Sequence, residues 1–569
     1  MSATTDLFDA VDRLNCLSSL SVKGGTPLYS AGDSAEAVYL VRRGLFTVMR
    51  DIGDNRMQLV GYVRSGECVG EMAVLTGMSR GSTVVALRDS IVDVYPAQAF
   101  RVALDDRPDV ATEVAQLVVQ RSSGSANVEA RAHIVLIASL GPEVDPVALA
   151  QRLARSSLKA GIKAVAFDHS TLGREPDWIG MAEAENDLVL LAARHDEGDW
   201  LTLCRRQVDR IMLLGRSDVA PPVNCALCFS EPLQSNQLVD LVLERPAGGQ
   251  SRFGQAWMSA TNAARLFHVD DRGGGTDRLA RILNGTSIGL ALSGGGARAF
   301  AHVGVVRALR EAGVTIDLVC GTSMGAIVGA GVASGWDGFE MDERMRAAFV
   351  TSSPLDDIAL PIVAMTRGRK VEARLAEHFG NVDIADLDLP YFCVSANLTS
   401  GHHHSHDRGP LVRALRASIS LPGVLPPVID EGQVLVDGGI LRNLPTDLLR
   451  ARHDGTVIGS DVSRAAGLSP ENVMPPASWW RWFTTGAWRR GPPIVSILMR
   501  TATISAGTEI ALARNAADLY VMPDTGMVEI RDWRSYPQAV EAGYVAMQAA
   551  LAKLDAPVSE LRKRRMTGT

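Results

Sequence analysis

Apolar positions recur along this chain with two rhythms, and the change between them divides it. Over residues 20–96 they fall in short runs at 38–41, 46–49, 59–63, 83–86 and 91–95. Gly32-Asp33, Gly44, Gly53-Asp54 and Ser65-Gly66 break these runs. β-Branched and aromatic runs bounded by turn residues predict strands, and several at this spacing predict a β-roll or barrel. Apolar residues at helical spacing follow over 96–120, and the polar stretch 120–127 reads as a linker.

From His133 the rhythm becomes strand–helix alternation. Short apolar runs at 133–139, 163–167, 187–192 and 209–214 alternate with amphipathic stretches such as 145–159 and 200–207, which predicts a parallel α/β unit. The loop after its first strand lacks the lysine and hydroxyl of a phosphate-binding loop, so nucleotide hydrolysis is not expected there. A second α/β region opens near Thr276, an N-cap for a helix stopped by Gly285. A strand at 288–292, Ser293-Gly294-Gly295-Gly296, a helix at 298–312, a strand at 316–320 and Gly321-Thr322-Ser323-Met324-Gly325 follow in order.

Composition narrows the class. A chain of 569 residues suggests three or four domains at roughly 150 residues each; the pattern resolves three, over 1–124, 125–275 and 276–569. With 46% hydrophobic and 21% charged residues it is globular, and a net charge of −7 removes an overall basic nucleic-acid footprint. No basic-then-apolar leader is visible, and the longest small-apolar stretch, 324–334, is shorter than the roughly 18 residues a membrane span needs. Seven cysteines, with one unrepeated C-x-x-C at Cys225 and Cys228, suit reduced thiols. The expectation is a cytoplasmic protein.

The 53 glycines cluster without a period, and two clusters carry chemistry. Gly321-Thr-Ser323-Met-Gly325 lies between a predicted strand and a predicted helix, the setting of a nucleophile elbow. Gly294-Gly295-Gly296 repeats that setting; its N–H groups could face a substrate oxyanion or cradle a phosphate, and a serine on the neighbouring turn favours acyl transfer. A serine needs a base. Asp437, in a glycine turn, and His453, shortly after it, are candidates; His302 reads as a packed helix residue.

Ser293-Gly-Gly-Gly-Ala-Arg-Ala299, Gly321–Gly325, the stretch Ala417-Ser-Ile-Ser-Leu-Pro-Gly-Val-Leu-Pro-Pro427, and Asp437-Gly-Gly439 with Asn443-Leu-Pro445 together resemble a patatin-like phospholipase domain. The resemblance implies a Ser323–Asp437 dyad with no histidine, an oxyanion loop at Gly294, Gly295 and Gly296, and Arg298 at the family's basic position. Ser293 and Ala299 depart from common family residues. Gly70-Glu71-Met-Ala-Val-Leu75 with Arg80-Gly81-Ser82-Thr83-Val84 resembles the phosphate cassette of cyclic-nucleotide-binding domains. That implies Glu71 accepting from the ribose hydroxyl, and Arg80 pairing with the cyclic phosphate beside the N–H groups near Gly81 and Ser82, with Gly70 in the same site. Ser79 stands where a proline is frequent; a degenerate cassette kept as an interaction module is the alternative. The two modules in this order are similar to the neuropathy target esterase group of lysophospholipases.

The fold class expected is therefore multidomain: an N-terminal β-roll with flanking helices, a middle parallel α/β unit and a C-terminal patatin-like α/β hydrolase domain. The expected function is hydrolysis of lysophospholipid or phospholipid acyl esters, with cyclic AMP or cyclic GMP as regulatory ligand and no required cofactor or metal. The competing class is a lipid- or nucleotide-binding regulator with a silent or slow hydrolase. Trp479, Trp480, Trp482 and Trp488, flanked by arginines, form the pattern of an interfacial anchor or of a core aromatic cluster. The first reading makes the protein peripheral at a membrane. His402-His403-His404 with His406 reads as an exposed loop rather than a zinc site. A homodimer is compatible with this reading.

Overall fold

The computed structural model describes residues 18–51, 57–106, 111–112, 114–115, 133–173, 178–222, 238–246, 249, 251–270, 274–352, 357–359, 363–463, 506–526 and 528–567. Trp479, Trp480, Trp482 and Trp488, and Cys225 and Cys228, lie outside them. By internal contacts the chain forms two compact units, one dominated by residues 1–216 and one by 266–569, with short segments between these exchanged.

The first unit begins with two four-stranded sheets, whose strands at Ala37–Arg43, Leu45–Asp51, Met57–Arg64, Thr83–Ala86 and Ser90–Pro96 contain the five expected runs. Their pairings are antiparallel, as a β-roll requires. Alternate residues turn inward: Val41, Phe46, Val84 and Val92 meet in one apolar cluster, Val38, Leu40, Tyr95 and Phe100 in another. The strands Ser18–Val22, Pro27–Tyr29 and Cys68–Val69 escaped the sequence pattern, because the first is exposed at four of five positions and the other two are very short.

The middle region has a sheet in which Ala164–Phe167, Leu188–Ala193, Ile134–Ser139, Arg210–Arg216 and Leu238–Arg245 lie side by side in this order, each pair parallel. Between its strands lie helices such as Pro146–Lys159, capped by the Asp145 carboxylate on the Val147 N–H. Within the same unit, Arg88, at the turn closing the β-roll, is buried and pairs with Glu183 and with Asp209 at 3.0 Å.

The second unit is built on an eight-stranded sheet. Ile288–Leu292 lies at its centre between Leu318–Thr322 and Thr456–Ser460, both parallel to it. Tyr391–Asn397 continues the parallel part, and Gln433–Asp437 pairs antiparallel with its far end. These strands are buried almost throughout, with the helices Ala301–Glu311 and Met324–Ala333 packed into the same apolar core.

Several local expectations change. The helix expected to follow a Thr276 N-cap runs over Gly274–Leu283, with Thr276 buried inside its first turn, and the strand expected at 316–320 lies at Leu318–Thr322. The stretch expected as one helix over 298–312 starts as a 3-10 turn, Gly296–Phe300, and becomes α-helical only over Ala301–Glu311. Gly296 has a φ of 58°, and the Ala297 N–H is drawn out to the Ile530 carbonyl at 2.8 Å, which tightens the entry. The histidine run is not a loop. His402–His406 is a strand paired antiparallel with Tyr391–Asn397, and His406 is buried with Nε2 2.8 Å from the Ser395 hydroxyl. A histidine string carries no strand-forming alternation of its own; the long apolar neighbour supplies the ladder.

Candidate active site

The strand Leu318–Thr322 delivers Ser323 to the first turn of the helix Met324–Ala333. Ser323 has φ 53° and ψ −128°, a left-handed conformation that costs a non-glycine residue about 1–3 kcal/mol. The flanking glycines make this turn passable: a Cβ at Gly321 would stand 2.5 Å from the Gly325 carbonyl oxygen, and one at Gly325 2.4 Å from that of Ser293. The half-buried serine therefore projects at the positive end of a helix dipole.

Asp437 closes the strand Gln433–Asp437 and is 4% exposed. Its Oδ2 accepts from the Ser323 hydroxyl at 2.7 Å, and its Oδ1 accepts from the Gly439 N–H at 2.8 Å. Burial pushes its carboxyl up to about 6, against the two hydrogen bonds, which pull it down. A weak base has thus been brought close to the working range of a general base.

Neither histidine takes that place. His302 is buried, with Nδ1 2.9 Å from the Ser460 hydroxyl and Nε2 2.9 Å from the Ser293 carbonyl, and burial pushes it down to about 4. It packs the helix Ala301–Glu311 onto the sheet. His453, also buried, directs Nε2 to the Thr456 carbonyl at 3.2 Å.

The glycine loop is held beside the serine by Asn443, which bonds Gly294 twice. The Gly294 N–H donates to the Asn443 carbonyl, and the Asn443 amide donates to the Gly294 carbonyl, each at 3.2 Å. The Gly294 N–H is thereby occupied. No acceptor among the described residues takes the N–H groups of Gly295 and Gly296. Arg298 directs Nε to the Val528 carbonyl at 2.8 Å, anchoring the segment whose Ile530 carbonyl holds Ala297.

Two residues here had no role in the sequence reading. Asn443 and Ser418 both sit inside motifs quoted above, but only the fold shows Asn443 against Gly294 and the Ser418 hydroxyl 2.9 Å from the Ser323 N–H. Contacts across 149 and 95 positions leave no signal in a single sequence.

In the N-terminal cassette, Gly70 has a φ of 91°, and Glu71 and Arg80 are both buried. Arg80 donates from Nη1 to the Gly70 carbonyl at 2.8 Å and from Nη2 to the Ala37 carbonyl at 2.6 Å. Its guanidinium lies over the Tyr29 ring at 4.3 Å, and its Nε is buried without an acceptor among the described residues. Gly81 is exposed and Ser82 half-buried beside it. Among the described residues, no helix is long and apolar enough to cross a membrane, and no group of three acidic, histidine or cysteine side chains could hold a metal.

Comparison with known proteins gives two family matches: patatin-like phospholipase over residues 290–450 and cyclic nucleotide-binding domain over 19–107. An uncharacterized NTE family protein of Mycobacterium tuberculosis is 32% identical over 92% of this chain and 90% of its own length. The human patatin-like phospholipase domain-containing protein 6 is 28% identical over 92% of this chain and 44% of its own. The lysophospholipase nte1 of Neosartorya fischeri is 26% identical over 94% of this chain and 42% of its own.

Proposed function

The chain belongs to the NTE family and is a patatin-like lipid ester hydrolase; on that premise we propose that Ser323 and Asp437 form a dyad hydrolysing acyl esters of lysophospholipids or phospholipids. The observation that carries this reading is the 2.7 Å bond from the strained Ser323 hydroxyl to the buried Asp437 carboxylate. Ser323 Oγ attacks the ester carbonyl carbon as its proton passes to Asp437 Oδ2. The oxyanion is held by the N–H groups of Gly295 and Gly296, a term worth about 3–4 kcal/mol per donor. The C–O bond to the leaving alcohol then breaks, and Asp437 returns the proton to that oxygen. Water, deprotonated by Asp437, attacks the acyl-serine; the fatty acid leaves and Ser323 recovers its proton.

The N-terminal module belongs to the same proposal as a regulatory site for cyclic AMP or cyclic GMP. Arg80, held by two carbonyls and a tyrosine face with Nε unspent, suits a cyclic phosphate. Attachment at a cytoplasmic membrane face through Trp479, Trp480, Trp482 and Trp488 completes it.

The test is hydrolysis of a lysophospholipid series by wild type and Ser323→Ala, with and without each nucleotide. Ser323→Ala is expected to lower kcat by on the order of 10⁴-fold or more while melting as wild type does. Equal rates in the two proteins would end the enzymatic reading.

A further inference from the structure

The elbow is held by a side chain that belongs neither to its strand nor to its helix. Ser418, the last residue of the helix Leu411–Ser418, is fully buried. Its hydroxyl accepts from the Ser323 N–H at 2.9 Å and donates to the Val394 carbonyl at 2.7 Å. One proton and one acceptor position are thus used in a fixed sense, and the hydroxyl joins the nucleophile's backbone to the strand Tyr391–Asn397.

Two residues on, the Ser420 carbonyl accepts from the Asp437 N–H at 2.9 Å. Ser420 is itself fixed: its hydroxyl donates to the Arg416 carbonyl at 2.7 Å and accepts from Arg416 Nη1 at 2.6 Å. One short buried stretch therefore grips the main chain at both members of the proposed dyad, which lie 114 positions apart in sequence.

We propose that Ser418 is the positioning residue of the nucleophile: its hydroxyl holds the strained Ser323 backbone and, through the stretch ending at Ser420, fixes the serine against Asp437. This rests on the Ser323–Asp437 reading above. It also assigns the oxyanion donors. The Ser323 N–H is spent on Ser418, so the N–H groups available on the neighbouring turn are those of Gly295 and Gly296.

The experiment measures kcat, KM, the pH profile and the melting temperature of the full chain on a lysophospholipid, for wild type, Ser418→Ala, Ser418→Thr and Ser418→Cys. Ser418→Ala is expected to lower kcat roughly 10- to 100-fold, the scale of a misplacement of about 1 Å, while KM stays within about threefold. Its acid limb moves to higher pH, because the Ser323 bond that holds the Asp437 carboxyl down is weakened. Ser418→Thr, which keeps the hydroxyl, restores most of kcat and the wild-type limb.

Wild-type kcat and limb in a folded Ser418→Ala would overturn the proposal. So would equal losses in the alanine and threonine variants with the limb unmoved, which is the mark of packing alone. Should Ser418→Ala fail to fold, the near-isosteric Ser418→Cys decides: its sulfur is a poor acceptor, so the same fall in kcat supports the proposal and wild-type kcat refutes it. If wild type shows no hydrolysis that Ser323→Ala removes, the functional reading itself has failed and the role of Ser418 falls with it. Hydrolysis lost in Ser323→Ala but untouched in Ser418→Ala sinks the positioning role alone.

Discussion

The Arg80 cassette and the Ser323–Asp437 pair are both glycine turns around buried polar groups, and they store free energy in opposite senses. Arg80 gains from its neighbours at rest: two main-chain carbonyls each take one Nη proton and an aromatic face covers the guanidinium, although Nε is buried without an acceptor among the described residues. Asp437 does not. Burial disfavours its charge, and its partner serine sits at φ 53°. The first arrangement stabilises the unit that contains it and keeps one donor in reserve. The second costs stability, and the groups that bear the cost are the ones that react.

Breaking the cassette should have the largest effect on stability. Arg80→Ala removes two hydrogen bonds from a charged donor and leaves two carbonyls without it, so the first unit should lose about 3–4 kcal/mol by denaturant unfolding. Cyclic AMP or cyclic GMP, expected to raise the wild-type melting temperature, should no longer do so in the variant. An Arg80→Ala protein as stable as wild type would remove the contrast from that side.

Asp437→Asn should move the other way. Burial raises the folded-state carboxyl to about 6 from the 3.8 of a free aspartate side chain, so the native state is most favoured below pH 4 and loses stability as pH rises to 6. Above that the deficit is constant at roughly 3 kcal/mol, from about two pH units at 1.36 kcal/mol each. Asparagine keeps the acceptor for Gly439 and has no charge to bury. The variant should be more stable than wild type by up to about 2–3 kcal/mol at pH 8, and the gain should vanish below pH 4.

The smallest effect isolates backbone strain. Ser323→Gly removes the Cβ that disfavours this conformation and should stabilise the second unit by about 1 kcal/mol, whereas Ser323→Ala keeps the strain. Equal melting temperatures for the two variants would show that the elbow stores no strain.

Five strands of the β-roll and two of the second unit's sheet, near 288–292 and 316–320, were legible in the sequence because each is a short apolar run bounded by turn residues, so apolar pattern and structure coincide. The run at 288–292 is a strand over those very residues, and 83–86 likewise. Ser323 and Asp437 were legible because glycine must flank a turn this tight. Their 2.7 Å bond was not, since it depends on strand order across the sheet. Gly294 shows the limit most plainly: its place in the loop follows from the motif, but only Asn443, folded against it, reveals that its N–H is already taken. His402–His406 became a strand for the same reason, through a partner that local pattern does not name.

The most direct measurement is the hydrolysis rate of a lysophospholipid by wild type and Asp437→Asn between pH 5 and 9. Wild type should show an acid limb with an apparent pKa near 6, active as the carboxylate above it and failing as Asp437 is protonated below it. Asp437→Asn should show no turnover above background anywhere in that range. An Asp437→Asn enzyme that keeps the wild-type rate and the same limb would contradict the account, because another group would then be the base.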